Sequence, residues 1–268
     1  MKDELSTRMK SYYEDRTRYY LPRRAYTILR LDGRSFHTYT RGLKRPFDDG
    51  LMVDMNTTAE YLCKNIQGAK FAFVQSDEIS ILLTDFDELT TDAWFDGNIQ
   101  KMASVSASMA TSKFNQLRWC RYFNERYNNT PDEFGWVWVM NAAQQKLAEF
   151  DSRVFTIPSK TEVANMMIWR QQDTVRNSIS SVAQSLYSHK ELNGKNTNQM
   201  QEMIFQKGIN WNEYNPKYKR GRFIEKKEFF IEQEDKPGVI RTRWESGECP
   251  IFTQDTDFLY SRIPDIQQ

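Results

Sequence analysis

The spacing of apolar and polar positions divides the chain into a short series of elements. A run of β-forming residues, Tyr26 to Leu31, stops at Asp32-Gly33 and predicts a strand. Leu51, Met55, Thr58, Ala59 and Leu62 recur at helical spacing, and Asp48-Asp49 is placed to cap a helix over 50–66. Phe71 to Leu83 holds two apolar runs around the polar tetrad Gln75–Glu78, the pattern of a strand, a tight turn and an antiparallel strand. Small residues crowd 98–118, among them Ala103, Ser106 and Ala110, and predict a helix lying close against a sheet. Arg153 to Pro158 reads as a further strand. A long helix follows over 161–188 and a shorter one over 197–207. Arg222–Ile231 and Val239–Trp244 alternate as strands, and the tail from Cys249 reads as irregular. Residues 1–24 are polar and basic, with a short helix expected before Pro22.

Strand, helix, hairpin, helix, strand, helix is the order of an α+β domain. It predicts an antiparallel or mixed sheet with helices on one face, in the split β-α-β-β-α-β arrangement of ferredoxin-like folds. The expected division is a catalytic unit over 1–231 and a C-terminal extension over 232–268.

Composition narrows this little. The 268 residues are 39% apolar, enough for a core. Thirty-seven basic residues face 36 acidic ones, so net charge argues neither for nor against nucleic acid and only local patches can. Three scattered cysteines, Cys63, Cys120 and Cys249, form no CxxC pair; this argues against a zinc module or a disulfide scaffold and for a reducing cytoplasm. The charged start MKDELSTRMK is no signal peptide, and no apolar run is long enough to span a membrane.

Two carboxylate sites change the picture. Asp32 ends the first strand and Asp77 lies in the hairpin turn, so a split β-α-β-β unit brings both to one edge of the sheet. Neighbouring carboxylates repel each other unless a cation lies between them. Magnesium takes such hard oxygen ligands together with substrate phosphates, and two ions can clamp a phosphoryl displacement. Gly33 leaves its carbonyl open to close approach. If Asp77 faces an ion, alternation turns Glu78 away to a supporting position, unless the turn breaks the alternation. Arg34, Ser35, His37, Lys44 and Arg45 follow within a few steps and suit phosphate. Each site also reads as an ordinary turn. Gly194-Lys195 lacks the rest of a phosphate-binding loop. Asn215 to Phe223, NPKYKRGRF, with Lys226-Lys227 beyond, mixes positive charge with aromatic rings; it reads as an RNA contact or as a solvated strand edge.

The motifs RLDGRSFH (30–37), KRPFD (44–48), QSDEIS (75–80), DSRVFTIPS (151–159), WRQQD (169–173) and PKYKRGRF (216–223) together resemble the tRNA-His guanylyltransferase family over roughly residues 5–225. The resemblance implies a polymerase-palm-like domain that adds nucleotides to the 5′ end of tRNA, in the 3′-5′ direction. ATP activates the 5′-phosphate and the 3′-OH of GTP or another NTP attacks it. By position, Asp32, the Gly33 carbonyl and Asp77 would ligate two Mg2+ ions, with Glu78 supporting them. Asp32, Gly33, Arg34, Ser35, Phe36, His37, Ser76 and Asp77 would line the triphosphate site, and either Lys44 or Arg45 inherits the phosphate role of the family's Lys-Pro motif. Where eukaryotic members carry HINNLYN, this chain has TVRNSIS (174–180), which looks like the bacterial and archaeal guanylyltransferase-like branch that repairs truncated tRNA 5′ ends. Arg176, Asn177, Lys217, Lys219, Arg220 and Arg222 become RNA contacts, and a homotetramer is expected. The competing readings are a palm-fold nucleotide cyclase or oligonucleotide synthase, and a non-catalytic RNA-binding module.

Overall fold

The computed structural model describes residues 4–127, 146–233 and 236–266. Six strands form one sheet in the order β4-β1-β3-β2-β5-β6, every neighbouring pair antiparallel. They are β1 Tyr26–Gly33, β2 Ala69–Gln75, β3 Glu78–Leu83, β4 Phe150–Ile157, β5 Arg222–Gln233 and β6 Lys236–Glu248. The first four, with the crossover helices α3 (Asp49–Asn65) and α4 (Ile99–Tyr127), make up the β-α-β-β-α-β unit expected from the sequence. Two short helices, α1 (Glu4–Met9) and α2 (Phe36–Tyr39), precede α3. Asp48 caps α3 as its position predicts, accepting a hydrogen bond from the Leu51 N–H at 2.7 Å.

Helices cover both faces of the sheet, not one. Leu29, Leu31, Val74, Ile79 and Ile81 point into a core with Met55, Leu62 and Phe114 of α3 and α4. The alternate positions Ile28, Phe71, Phe73 and Leu82 are apolar too, so the second face also has to leave water. It is covered by α5 (Lys160–Leu186) through Val163, Met166 and Met167, and by the chain after Cys249. Every residue of β3 is consequently buried. The tail is more ordered than expected: Asp255 caps α9 (Thr256–Tyr260), and Phe252, Leu259 and Ile263 sit in the second core. The far half of α5 builds a third cluster, where Ile179, Val182 and Ala183 meet Leu192 of α6 (His189–Leu192) and Ile204 of α7 (Thr197–Gln206). A single turn, α8 (Pro216–Lys219), leads into β5. Strand β5 pairs with β2 over residues 222–225 and beyond that with β6 alone.

Candidate active site

Alternation along β1 settles which side chains meet. With Leu29 and Leu31 in the first core, Arg30 and Asp32 face α5. On the hairpin, Val74 and Ile79 join that same first core, so Gln75 and Glu78 face α5 as well, and the turn Ser76-Asp77 lies between them. Ser76 adopts a left-handed conformation, φ 41°. The result is an open cavity of about 300 Å3 lined by Asp32, Asp77 and Glu78 from the sheet, and by Trp169, Asp173 and Asn177 from α5.

The two predicted carboxylates thus share one cavity. Burial pushes the Asp77 carboxyl up to about 6, and the charges of Asp32 and Glu78 add to the rise against hydrogen bonds from Ser76 and the backbone. Asp32 is more open, with its side chain 38% exposed and the Arg153 guanidinium 4.0 Å away.

Glu78 has a different occupation. Its carboxylate takes both arms of the Arg170 guanidinium, at 2.7 and 2.9 Å, and lies 3.7 Å from Arg30 Nε. Arg170 also donates to Asp173 at 2.7 Å, and Arg176 to the same carboxylate at 2.7 Å. Burial tends to raise the Asp173 carboxyl, but Arg176 and Arg170 outweigh it and hold it below the ordinary carboxylate range. Glu78 and Arg170 are both buried, and each neutralises the other. Gln75 accepts the Thr174 hydroxyl beside them. Sequence reasoning missed Arg30, Arg170 and Asp173. The available signal was charge at positions facing inward: Arg30 in the middle of a strand, and the Arg and Asp of WRQQD one helical turn apart.

The stretch expected to line a triphosphate site divides into two halves. Phe36 is a core residue: its ring is 5% exposed and packs against Tyr39, Phe114 and Phe150. A Cβ on Gly33 would lie 2.2 Å from that ring, so Phe36 dictates the glycine. Arg34 is tied to Glu149 by its backbone N–H, at 2.8 Å, and by its guanidinium, at 2.7 Å. Ser35 is left-handed, φ 52°, which turns the chain into α2. His37 is exposed and joins Lys44, Arg45, Ser76 and Asn177 in a second cavity of about 260 Å3. Gln75, Ser76 and Asn177 line both cavities, so the hairpin turn forms the sill between them.

The basic stretch does not form one exposed surface. Lys217 and Tyr218 both bond Asp49, whose carboxyl these hydrogen bonds, the tyrosine's foremost, hold down. Lys219 is 5% exposed, with its ammonium 2.6 Å from the Asn212 carbonyl and packed on Trp211. Arg222 is buried and lines the second cavity, while Arg220 is half-buried and its carbonyl accepts from Gln171. Arg176 has an exposed side chain. Of the RNA-contact residues expected from the sequence, Asn177 and Arg222 lie with the nucleotide motif, and Lys217 and Lys219 are engaged within the fold.

No helix among the described residues is long and apolar enough to cross a membrane. Comparison with known proteins gives a consistent picture. The family model described as "Thg1: tRNAHis guanylyltransferase" matches residues 6–158. A bacterial tRNA(His) guanylyltransferase (Thg1)-like protein, solved in complex with ATP, is 42% identical, with a TM-score of 0.79 over 96% of this chain and 98% of that one. The bacterial Thg1-like protein in complex with GTP gives 40% identity and a TM-score of 0.74, over 97% and 98%. The probable tRNA(His) guanylyltransferase of Dictyostelium discoideum is 29% identical over 213 residues, 75% of each chain. With carboxylates at the strand end and hairpin turn of a palm-like sheet, and with a family match across more than half its length, this chain belongs to the tRNAHis guanylyltransferase (Thg1) family.

Proposed function

We propose that this chain is a magnesium-dependent nucleotidyltransferase that extends the 5′ end of tRNA in the 3′-5′ direction. The observation that carries the reading is the shared cavity of Asp32 and Asp77, where burial and like charge lift Asp77 to about 6. Two carboxylates crowded in this way suit a divalent cation. Magnesium binds through one or two carboxylates and fills its remaining positions with substrate phosphates and water, so this pair is enough to hold it. Asp32, the Gly33 carbonyl and Asp77 would hold it, and the ions, when bound, supply charge neutralisation at the reacting phosphates.

The chain's own residues account for the rest. A phosphate oxygen at the tRNA 5′ end attacks the α-phosphorus of ATP, pyrophosphate leaves, and the 5′ end becomes adenylylated. The 3′-OH of the incoming NTP then attacks the 5′ phosphorus and AMP leaves. His37, Lys44 and Arg45 line the cavity next to the carboxylates and supply positive charge for a triphosphate. Asn177 lies on both sides of the sill, a position suited to the activated 5′ end. Glu78, paired with Arg170, braces the hairpin turn against α5. The TVRNSIS stretch favours repair of truncated 5′ ends over obligatory addition of G to tRNA-His. Assembly as a homotetramer belongs to the same reading.

The test is incubation of the full chain with 5′-truncated tRNA, labelled NTPs and magnesium. Label gained at the 5′ end supports the proposal. A cyclic or short product formed without RNA points to a palm-fold cyclase or synthase. Binding of tRNA without product points to a non-catalytic module.

A further inference from the structure

Arg222 opens β5 beside the catalytic hairpin. Its register partner on β2 is Val74, one residue before Gln75. It is 7% exposed. Its Nε donates to Asn56 Oδ1 at 2.9 Å, and its Nη2 is buried without a hydrogen-bond partner among the described residues. The other buried arginine among those residues, Arg170, holds two carboxylates. Arg222 makes no ion pair there, its β6 register partner Glu248 being exposed, and burial pushes its guanidinium down to about 10 against the opposing effect of nearby Cys249. A buried guanidinium without a counter-charge weakens the fold it sits in. Such a group persists where a ligand supplies the missing charge.

The cavity that Arg222 lines identifies that ligand. Lys44 and Arg45 are its other cationic walls. Its acidic wall, Asp48, already accepts hydrogen bonds from the backbone of Leu51 and Lys44. A recess of about 260 Å3 suits part of a nucleotide. A neutral base edge would leave the charge uncompensated, whereas a phosphate would neutralise it. Arg222 also lies next to the turn that carries Ser76 and Asp77, the end of the cavity at which reacting phosphates must lie.

We propose that Arg222 is the internal counter-charge for the polyphosphate of the nucleoside triphosphate bound in this cavity, a nucleotide contact and not an RNA contact. The inference rests on the nucleotidyltransferase reading above. It also explains why the arginine is held by an amide, Asn56, which orients the guanidinium without neutralising it.

The test is calorimetric titration of the full-length protein and its R222M variant with inorganic tripolyphosphate, ATP and adenosine. Removing one partner of a buried charge pair predicts that tripolyphosphate and ATP lose affinity by a common factor on the order of thirtyfold. Adenosine binding is expected to stay unchanged. The ligand-free melting temperature of R222M should equal or exceed that of the wild type, because an uncompensated charge has gone; a purely structural arginine would lower it. Unchanged tripolyphosphate and ATP affinity in folded R222M overturns the proposal. So does a loss of adenosine binding equal to the loss of ATP binding, or a loss of affinity for 5′-truncated tRNA alone. Should R222M fail to fold, R222K decides. A buried lysine titrates below its usual range, so its tripolyphosphate binding should weaken as pH rises while the wild type's holds; identical pH profiles overturn the proposal. Failure of the wild type to bind ATP or tripolyphosphate at all would overturn the nucleotidyltransferase reading together with this one.

Discussion

Replacing Asp77 with Asn should make the protein more stable and abolish its proposed activity. The ionised Asp77 is disfavoured in the native state by burial, and further by Asp32 and Glu78. Moving a carboxyl from 3.8 to about 6 corresponds to roughly 3 kcal/mol against the charged form. Asp77 keeps part of its surface in water, so solvent screening reduces the expected figure to about 2 kcal/mol. Asn has nearly the same shape without the charge. At pH 7.5, with a chelator present, the melting temperature of D77N should therefore exceed that of the wild type by roughly 4–8 °C. The sign depends on pH. Because the native pKa lies above the unfolded one, protonation favours the fold, so the wild type gains on the variant as pH falls through about 6. The gap should close by about pH 4. Magnesium should invert the comparison, stabilising the wild type and leaving D77N unmoved. Differential scanning fluorimetry across pH, with EDTA or magnesium, reads all of these effects. A D77N melting temperature at or below the wild type's in EDTA, or an equal magnesium effect on both proteins, would refute the claim that Asp77 stores a charge penalty relieved by a cation.

Other perturbations test the remaining parts of the site. Asp32→Ala and Asp77→Ala should each abolish label transfer to tRNA while keeping a native circular dichroism spectrum; wild-type-like turnover in either would remove the site. At limiting magnesium, turnover should decline as pH falls through about 6, where a proton competes with the cation for Asp77, and excess magnesium should move that decline to lower pH; pH profiles identical at both magnesium levels would contradict that role. Arg170→Met leaves the buried Glu78 only the longer contact to Arg30, 3.7 Å away, and should cost about 3 kcal/mol in urea denaturation; the double variant Arg170→Met with Glu78→Gln should recover part of it, and strict additivity would show the pair to be uncoupled. Phe36→Ala should cost about 3–5 kcal/mol, whereas a loss below 1 kcal/mol would mean that the ring does not anchor the nucleotide motif.

Most of the architecture was legible because periodicity in this chain is strong where the core is. The α3 stripe, the hairpin and the Asp48 cap lie where pattern and cap chemistry predict them. The second helix layer was not legible, since a strand buried on both faces looks like any short apolar run and does not announce what covers it. The tail was missed for a similar reason: Phe252, Leu259 and Ile263 are spaced too irregularly to signal an element, yet tertiary packing orders them. At the site, the carboxylates were readable as charges placed where strands end. Glu78 was assigned a supporting position, but its partners come from distant segments whose approach no local pattern encodes. The basic stretch misleads most, because charge density in sequence carries no information on burial. Lys219 and Arg222 are among the most enclosed cations of the described chain.

Helix α5 is rooted in the sheet through the Arg170–Glu78 pair, yet its last turns belong to a separate apolar cluster with α6 and α7. The carboxylate cavity and that outlying bundle therefore share a beam but stand on different footings, touching where Phe47 walls the neighbouring recess. The exposed face of residues 188–207, none of which lines either cavity, can be redrawn by evolution, or by an engineer grafting a new RNA-facing module, without retuning the acidic pair at the other end.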